Sequence, residues 1–135
     1  MKYRRKIEKE IMCPLEYGLD IFGGKWKSRI ICVLYSYPKI RYNQLKKELT
    51  TISDAVLAEM LKELINDGLV SREQFNEIPI RVEYTLTSKG ESVLPILQSI
   101  CNWAKVNSVE EIEKKLPACK SCNQLKSSTN KIISN

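Results

Sequence analysis

The feature that most constrains the fold is the stretch of residues 52–70, which has the ends and the apolar spacing of one amphipathic helix. Ser53 is a favoured N-cap residue, and Gly68 suits the left-handed position that follows a helix. The side facing the core is predicted to be Leu57, Leu61, Leu64 and Ile65, and the opposite side Ala55, Ala58, Glu59, Lys62 and Asn66. The opposite side has no packing role within one domain, so we expect it to meet a partner.

A β-hairpin is predicted directly after this helix. Residues 69–75 and 82–87 are rich in β-branched and aromatic side chains, and the connection between them contains turn-forming residues. With another short helix before it, this order is typical of a winged helix-turn-helix, in which the helix enters a DNA groove and the hairpin lies along the backbone. The alternative is that the helix is only a scaffold element of an α+β domain.

Four further helices complete the predicted domain, over residues 14–22, 25–36, 42–49 and 88–107. The last is capped by Thr87 or Ser88 and is expected to bend at Pro95, which lacks an amide hydrogen. Its apolar residues cover an arc too wide for one contact within a small domain. A partner subunit is expected to cover the remainder, and the alternative cover is the N-terminal helix of the same chain.

The predicted fold class is therefore mainly α with a β-hairpin wing, a winged helix-turn-helix dimerised through its terminal helices. The length of 135 residues is that of one domain. We divide the chain into a basic N-terminal arm (1–12), the winged helix-turn-helix domain with its dimerisation helix (13–107) and a C-terminal extension (108–135) that we expect to be flexible. No apolar run approaches a membrane span, and no signal-peptide core follows the basic N-terminus, so we expect a cytoplasmic protein without membrane partners.

The charge of the chain is uneven. Lys and Arg number 22 against 16 Asp and Glu, and residues 24–50 hold seven basic residues and one acidic residue, a local charge of 7 − 1 = +6. Residues 54–91 hold four basic and eight acidic residues, or 4 − 8 = −4. Positive charge is what a phosphate-facing surface needs. The first segment supplies it, whereas the negative balance around the proposed recognition helix counts against DNA binding.

Cysteine and histidine usage limits the possible chemistry. The chain has five cysteines, at positions 13, 32, 101, 119 and 122, and no histidine. The odd number favours thiols over a disulfide framework, and the lack of histidine disfavours hydrolytic triads and His-ligated zinc. Cys119 and Cys122 have the spacing of half a zinc site or of a redox dithiol, and a four-ligand site would need two chains. We predict no catalytic residue, metal or cofactor, and the enzymatic alternative is a small thiol oxidoreductase built on this pair.

The DNA contacts predicted from the residues fall into two groups. On the recognition helix, Glu59 can accept from a cytosine amino group, and the methyl groups of Ala55 and Val56 can touch thymine. Flanking residues contact phosphates or the minor groove and position the protein, and Arg81 beside the wing tip is the favoured one. The helix set is Ser53, Asp54, Ala55, Val56, Ala58, Glu59 and Lys62, and the flanking set is Lys25, Lys27, Arg41, Asn43, Lys46 and Arg81. The alternative for each lysine is a solvated surface charge, and the alternative for the domain is a protein-interaction module.

Six motifs together resemble a known family. They are Cys13-Pro14-Leu15-Glu16-Tyr17, Ile21-Phe22-Gly23-Gly24-Lys25-Trp26, Arg41-Tyr42-Asn43-Gln44-Leu45-Lys46, Ile52-Ser53, Leu61-Lys62-Glu63-Leu64 followed by Asp67-Gly68-Leu69-Val70, and Pro79-Ile80-Arg81-Val82-Glu83-Tyr84-Thr85-Leu86-Thr87. In this order they resemble the HxlR-type winged helix-turn-helix transcriptional regulators of bacteria, which are related to the MarR-like group. The resemblance implies a homodimer that binds double-stranded DNA at an inverted-repeat operator, with its recognition helix at 53–67 and its wing tip at 75–81.

Cys13 is the candidate sensor residue. It precedes Pro14 at a helix start and follows the basic residues Arg4, Arg5 and Lys6, and both surroundings favour the reactive thiolate. The resemblance implies a comparison with the N-terminal cysteine that several family members use to sense oxidants or electrophiles. The alternative is an inert, packed thiol, which is also the expected role of Cys32 and Cys101 on apolar helical faces.

Overall fold

The computed structural model describes residues 13–107 of the chain. The predictions for the arm (1–12) and for the extension (108–135), including Cys119 and Cys122, lie outside the described residues. In chain order the elements are α1 (Pro14–Phe22), α2 (Lys25–Ser36), β1 (Ile40–Arg41), α3 (Tyr42–Leu49), α4 (Asp54–Asn66), β2 (Val70–Phe75), β3 (Arg81–Leu86), α5 (Ser88–Glu91) and α6 (Leu94–Asn107). A winged helix-turn-helix results, with α3 and α4 as the helix-turn-helix and β2 and β3 as the wing.

The two ends of α4 form as the sequence predicts. The Ser53 hydroxyl accepts a hydrogen bond from the amide of Val56 at 3.2 Å, which satisfies one of the unpaired N–H groups of the first turn. Gly68 has a φ of 81° and turns the chain from the helix into β2. Leu57 and Leu64 are fully buried, so the predicted core side of the helix is confirmed.

The sheet has three antiparallel strands in the order β1-β3-β2. The predicted hairpin is confirmed, with Val70 opposite Leu86 at its base and Phe75 opposite Arg81 near its tip. Strand β1 was not predicted, because two residues are too short to display an alternating pattern. Alternate residues share a face of a sheet, so Arg72, Tyr84 and Ile40, which are paired in register, lie on the face that α3 and α4 cover.

The prediction of one long helix over 88–107 is wrong. The chain makes a turn at Ser92 and Val93 between α5 and α6. Pro95 has no N–H to donate to the Glu91 carbonyl, and its ring crowds that carbonyl, so the helix is interrupted rather than bent. A new helix begins where the Val93 carbonyl accepts from Ile96 at 3.0 Å and from Leu97 at 3.1 Å.

The hydrophobic core is centred on α2, which contacts α3, α4, β3, α5 and α6. Ile30, Ile31 and Leu34 of α2 are buried almost completely, and Leu45 and Leu49 of α3 pack into the same core. This central helix holds the recognition helix on one side and the C-terminal helices on another. The position of α4 is therefore set by the core, and its outer face is left to solvent.

Candidate nucleic-acid interface

The outer face of α4 is the most prominent candidate surface. It presents two alanines, one carboxylate, one ammonium group and one amide along three turns, and all of these side chains are exposed. They are Ala55, Ala58, Glu59, Lys62 and Asn66. Small residues allow a close approach of the helix backbone. The Glu59 carboxylate and the Asn66 amide oxygen are acceptors, and the Lys62 ammonium and the Asn66 NH₂ group are donors, for base edges or phosphates. Asn66 was not in the predicted contact set.

The start of α4 is tied to α3 by a small polar cluster. Asp54 accepts a salt bridge from Lys46 at 3.0 Å, and its side chain and backbone carbonyl accept from the Tyr42 hydroxyl at 3.2 and 3.3 Å. The cluster therefore fixes the first turn of α4 against the first turn of α3. Two predicted contacts, Lys46 and Asp54, neutralise each other here, so neither presents a bare charge to DNA.

This cluster also shifts two pKa values. The hydrogen bond from Lys46, followed by that from Tyr42, lowers the pKa of Asp54 below its ordinary 3.8. Burial, followed by the hydrogen bond to Asp54, raises the pKa of Tyr42 above its ordinary 10.0. Because the Asp54 pKa is depressed in the folded state, its stabilising contribution is complete above pH 3.8 and is lost as the pH falls through the lower folded value. The cluster is therefore intact at neutral pH.

The predicted phosphate contact of Lys27 does not fit the structure, because this side chain is buried. Its side chain is only 8% exposed and forms a salt bridge with Glu63 of α4 at 2.9 Å. The same ammonium donates to the backbone carbonyl of Asp20 in α1 at 3.2 Å. A buried and paired ammonium is not available to a phosphate, so Lys27 joins three helices and makes no DNA contact. Helical periodicity does not predict this burial, because the partner carboxylate lies 36 residues away in the sequence.

Arg81, the favoured phosphate contact, is held by interactions within the wing. Its guanidinium lies over the ring of Phe75, 4.1 Å from the centroid, and donates to Glu77 at 3.1 Å, with Glu83 at 3.9 Å. A phosphate at this position has to compete with Glu77 for the same donors. The tip of the wing beyond it exposes Ile78 and Ile80, which are apolar.

The other predicted contacts are on the surface. Lys25, Arg41, Asn43, Ser53 and Val56 are all exposed, and the Lys25 ammonium lies 4.6 Å from the centroid of the Trp26 ring. Arg41 is the N-cap residue of α3 and Asn43 lies in the first turn of that helix, so both are near the start of the helix-turn-helix.

Four of the eight acidic residues between 54 and 91 lie in ion pairs. Asp54, Glu63, Glu77 and Glu83 each lie within 4 Å of a lysine or arginine. Glu59 is exposed on the outer face of α4 and has no ion pair within residues 13–107. The carboxylates that counted against DNA binding thus leave one clear negative charge on the recognition helix.

A concavity of about 400 Å³ lies between α4 and the sheet, and we call it the α4–β2 concavity. Leu61 and Tyr84, both buried, and Ile65, half-buried, form its apolar floor. The exposed side chains that line it are Ala58, Lys62, Asn66 and Arg72, and the half-buried Tyr42 lines it as well. Arg72 was not predicted as a contact, although its alternation with Val70 on β2 places it on the inward face of the hairpin.

Two helices expose apolar faces that the described residues do not cover. On α6 the exposed side chains are Ile96, Ile100, Trp103 and Val106, and on α1 they are Leu15, Tyr17 and Leu19. Steps of four, three and three residues put the α6 set on one side of that helix, and Leu15 and Leu19, four residues apart, share one side of α1. The alternative in which α1 covers the apolar face of α6 is wrong, because Ile100 and Trp103 of that face are 51% and 68% exposed.

Cys13 is the exposed N-cap residue of α1. Its carbonyl accepts from the amide of Tyr17 at 3.2 Å, while its side chain makes no capping hydrogen bond. The thiol thus lies at the start of a helix that also exposes Leu15 and Leu19. Cys32 and Cys101 are half-buried, and Cys32 packs against the core as expected. The basic residues near Cys13 lie outside the described residues.

No helix among residues 13–107 combines the length and the hydropathy needed to cross a membrane.

Comparison with known sequences identifies regulators of transcription. The profile of the HxlR-like helix-turn-helix family matches residues 21–120. An HTH-type transcriptional regulator of Methanothermobacter thermautotrophicus is 41% identical over 97 residues, which are 72% of this chain and 73% of that protein. Another, from Halalkalibacterium halodurans, is 41% identical over 106 residues, which are 78% of this chain and 94% of that protein.

Comparison with solved structures gives the same fold. The redox regulator HypR in its oxidized form is 35% identical and superposes with a TM-score of 0.66 over 72% of this chain and 99% of that chain. The reduced form of the transcriptional regulator YodB from B. subtilis is 34% identical, with a TM-score of 0.64 over 73% of this chain and 96% of that chain. These are structures to which this chain is similar at both the sequence and the fold level.

Proposed function

The chain belongs to the HxlR-like helix-turn-helix family of transcriptional regulators, and we propose that it acts as a homodimer on an inverted-repeat operator and responds to oxidants or electrophiles through Cys13. The observation that carries the DNA-binding part is the outer face of α4. That face is exposed, has small side chains at Ala55 and Ala58, and is flanked by the wing. These are the requirements for a helix that enters the major groove while a hairpin lies along the backbone.

The apolar faces of α1 and α6 support the homodimer. Leu15 and Leu19 on α1, and Ile100 and Trp103 on α6, are large apolar side chains in solvent. Monomeric proteins rarely expose contiguous apolar surface of this kind, and a twofold dimer buries the same patch on both copies. A dimer presents two α4 helices to the DNA, and its symmetry requires a site with two inverted halves.

The direct experiment is selection from a random duplex pool with the full chain, followed by salt titration of the enriched sequence. We expect enrichment of an inverted repeat and an affinity that falls steeply with salt, because phosphate neutralisation releases counterions. Lack of enrichment, together with salt-independent association, would favour a protein-interaction module or the thiol oxidoreductase over a DNA-binding regulator.

Glu59→Gln is expected to change which base is preferred at one position in each half-site. The carboxylate accepts from a cytosine amino group, whereas the amide can both donate and accept, so discrimination at that base pair should change by about 1–3 kcal/mol. The measurement is competition among duplexes that differ at single positions. Glu73→Gln on the outward face of β2 removes the same charge and should leave the preference unchanged. Equal effects of the two changes would place Glu59 outside the groove.

The redox part rests on the position of Cys13 and on the likeness to HypR. Cys13 is exposed at the start of α1, beside the apolar side chains proposed for the dimer. If an oxidant takes two electrons and two protons from Cys13 and a second protein thiol, the disulfide that forms requires a Cα separation of about 4.4–6.8 Å and so constrains the position of α1 relative to the element that carries the second thiol. A change in dimer geometry alters the spacing of the two recognition helices and thereby the affinity for the operator.

Cys13→Ser should abolish the response of operator binding to a mild thiol oxidant. In the wild type we expect oxidation to change the affinity by about tenfold, which is within the usual range of coupling between sites. Binding is titrated with and without oxidant, and Cys32→Ser, a half-buried thiol, is the control that should keep the response. A response that persists in Cys13→Ser would move the sensor to another cysteine, and an insensitive wild type would make Cys13 a structural residue.

A further inference from the structure

The α4–β2 concavity brings together two cations from different elements, Lys62 of α4 and Arg72 of β2. Both side chains are exposed at its rim, and the amide of Asn66 lies beside them. Arg72 is opposite Tyr84 in the hairpin register, so its side chain lies on the sheet face turned towards the helices. The recognition helix and the wing therefore each contribute one positive charge to the α4–β2 concavity.

Neither cation is neutralised within residues 13–107. Lys46 is paired with Asp54, Arg81 with Glu77, and Lys27 with Glu63. Lys62 makes no ion pair in that range, and the only side-chain hydrogen bond of Arg72 there is a long one to Gln74 at 3.5 Å. Two unpaired cations in one concavity repel each other, and an anion bound between them removes that repulsion.

The shape of the concavity selects among anions. Its floor of Leu61, Ile65 and Tyr84 is apolar and has little to offer a fully hydrated ion. A sugar–phosphate unit suits both parts, because the edge of the sugar can pack on the floor while the phosphate oxygens reach the rim. An arginine guanidinium can bind a phosphate in a bidentate manner, and a lysine ammonium adds a point charge.

We propose that Lys62 and Arg72 jointly bind one phosphate of the DNA backbone in the α4–β2 concavity. This inference rests on the proposed DNA-binding function and assigns a site within it. Lys62 is then a backbone contact that fixes the register of the recognition helix, and base reading is left to the residues nearer the start of α4. Arg72 becomes a DNA contact of the wing that lies at its base rather than at its tip.

The test uses the full chain and a duplex that the wild type selects from a random pool. Arg72→Gln and Lys62→Gln should each weaken binding by about five- to tenfold, reduce the slope of log affinity against log salt by about 1, and leave the base preference unchanged. Because the two side chains share one phosphate, the double variant should lose less than the product of the two single losses. Arg72→Lys, which keeps the charge, should restore part of the affinity.

Lys105→Gln is the matched control, since it removes one positive charge from an exposed position on α6. It should change the affinity for the duplex less than twofold. Single phosphates of the duplex are then replaced by neutral methylphosphonates. At one position per half-site, this replacement should lower the affinity of the wild type and leave the already weaker affinity of Arg72→Gln unchanged. An Arg72→Gln affinity within twofold of Lys105→Gln would overturn this proposal alone. A wild type that selects no duplex would overturn the proposed function as well.

Inorganic phosphate distinguishes a backbone phosphate from a free anion. At equal ionic strength, phosphate and chloride should weaken duplex binding equally, because the free ion lacks the sugar that packs on the floor. A loss specific to phosphate in the wild type and absent from Arg72→Gln would assign the concavity to a free anion and overturn the backbone assignment.

Discussion

Glu63→Ala is expected to destabilise the domain by about 3–5 kcal/mol, the largest effect of any single change considered for this fold. Glu63 is the carboxylate partner of Lys27, and the two side chains are only 12% and 8% exposed. Removing the carboxylate leaves the ammonium buried with the Asp20 carbonyl as its remaining acceptor. An uncompensated buried charge is expensive because it has lost its water and has no counter-charge.

The measurement is urea unfolding at fixed protomer concentration, since association contributes to the apparent stability. Glu59→Ala is the matched control, because it makes the same chemical change one helical turn away at an exposed position, and its effect should stay within about 0.5 kcal/mol. The double variant Lys27→Met/Glu63→Leu should recover most of the loss, since apolar residues of similar volume often replace a buried pair without cost. Equal effects of Glu63→Ala and Glu59→Ala would mean that the pair contributes nothing to folding.

Ile100→Glu is expected to convert the proposed dimer into a monomer and to weaken binding to the proposed operator by about a hundredfold or more. Ile100 is 51% exposed in the middle of the apolar face of α6, next to Trp103. In the proposed dimer the change buries two carboxylates near the twofold axis. Loss of the dimer separates the two recognition helices and removes the gain in effective concentration that comes from linking two half-sites.

Light scattering and operator titration of the same sample would measure both effects. Ile78→Glu is the matched control for assembly, because it introduces the same charge at an exposed isoleucine of the wing tip and should leave the dimer intact. Binding to a duplex with a single half-site should be nearly unchanged in Ile100→Glu, since one α4 is enough for it. A variant that remains dimeric at micromolar concentration would exclude this face from the interface.

Most of the fold could be predicted from local signals. The cap at Ser53, the left-handed Gly68 and the leucine spacing between them define α4 with little help from the rest of the chain. Strand β1 and the break before α6 were missed for physical reasons. The pairing of Ile40 with Tyr84 is a long-range contact that no local pattern reports, and Pro95 left open whether the helix bends or stops.

The candidate site was harder to predict than the fold. Exposure of the α4 face follows from helical periodicity, so Ala55, Ala58 and Glu59 were placed correctly on the surface. Whether a lysine or arginine is buried in an ion pair or exposed depends on partners that are distant in sequence. Helical periodicity does not predict these partners. Lys27 is buried in a salt bridge with Glu63, which lies 36 residues further along the chain. Arg72 has no carboxylate partner in the described part of the chain.

The position of Lys27 has a thermodynamic consequence for the proposed switch. Its single ammonium contacts the end of α1, the helix whose N-cap residue is Cys13, and also the recognition helix α4. A tilt of α1 that lengthens the contact to Asp20 changes how strongly the same ammonium holds Glu63, so the energies of the two helices are not independent. Such coupling is reciprocal at equilibrium. If the proposed switch operates, we expect operator DNA held by α4 to shift the equilibrium oxidation of Cys13 by the same factor by which oxidation shifts the affinity for DNA.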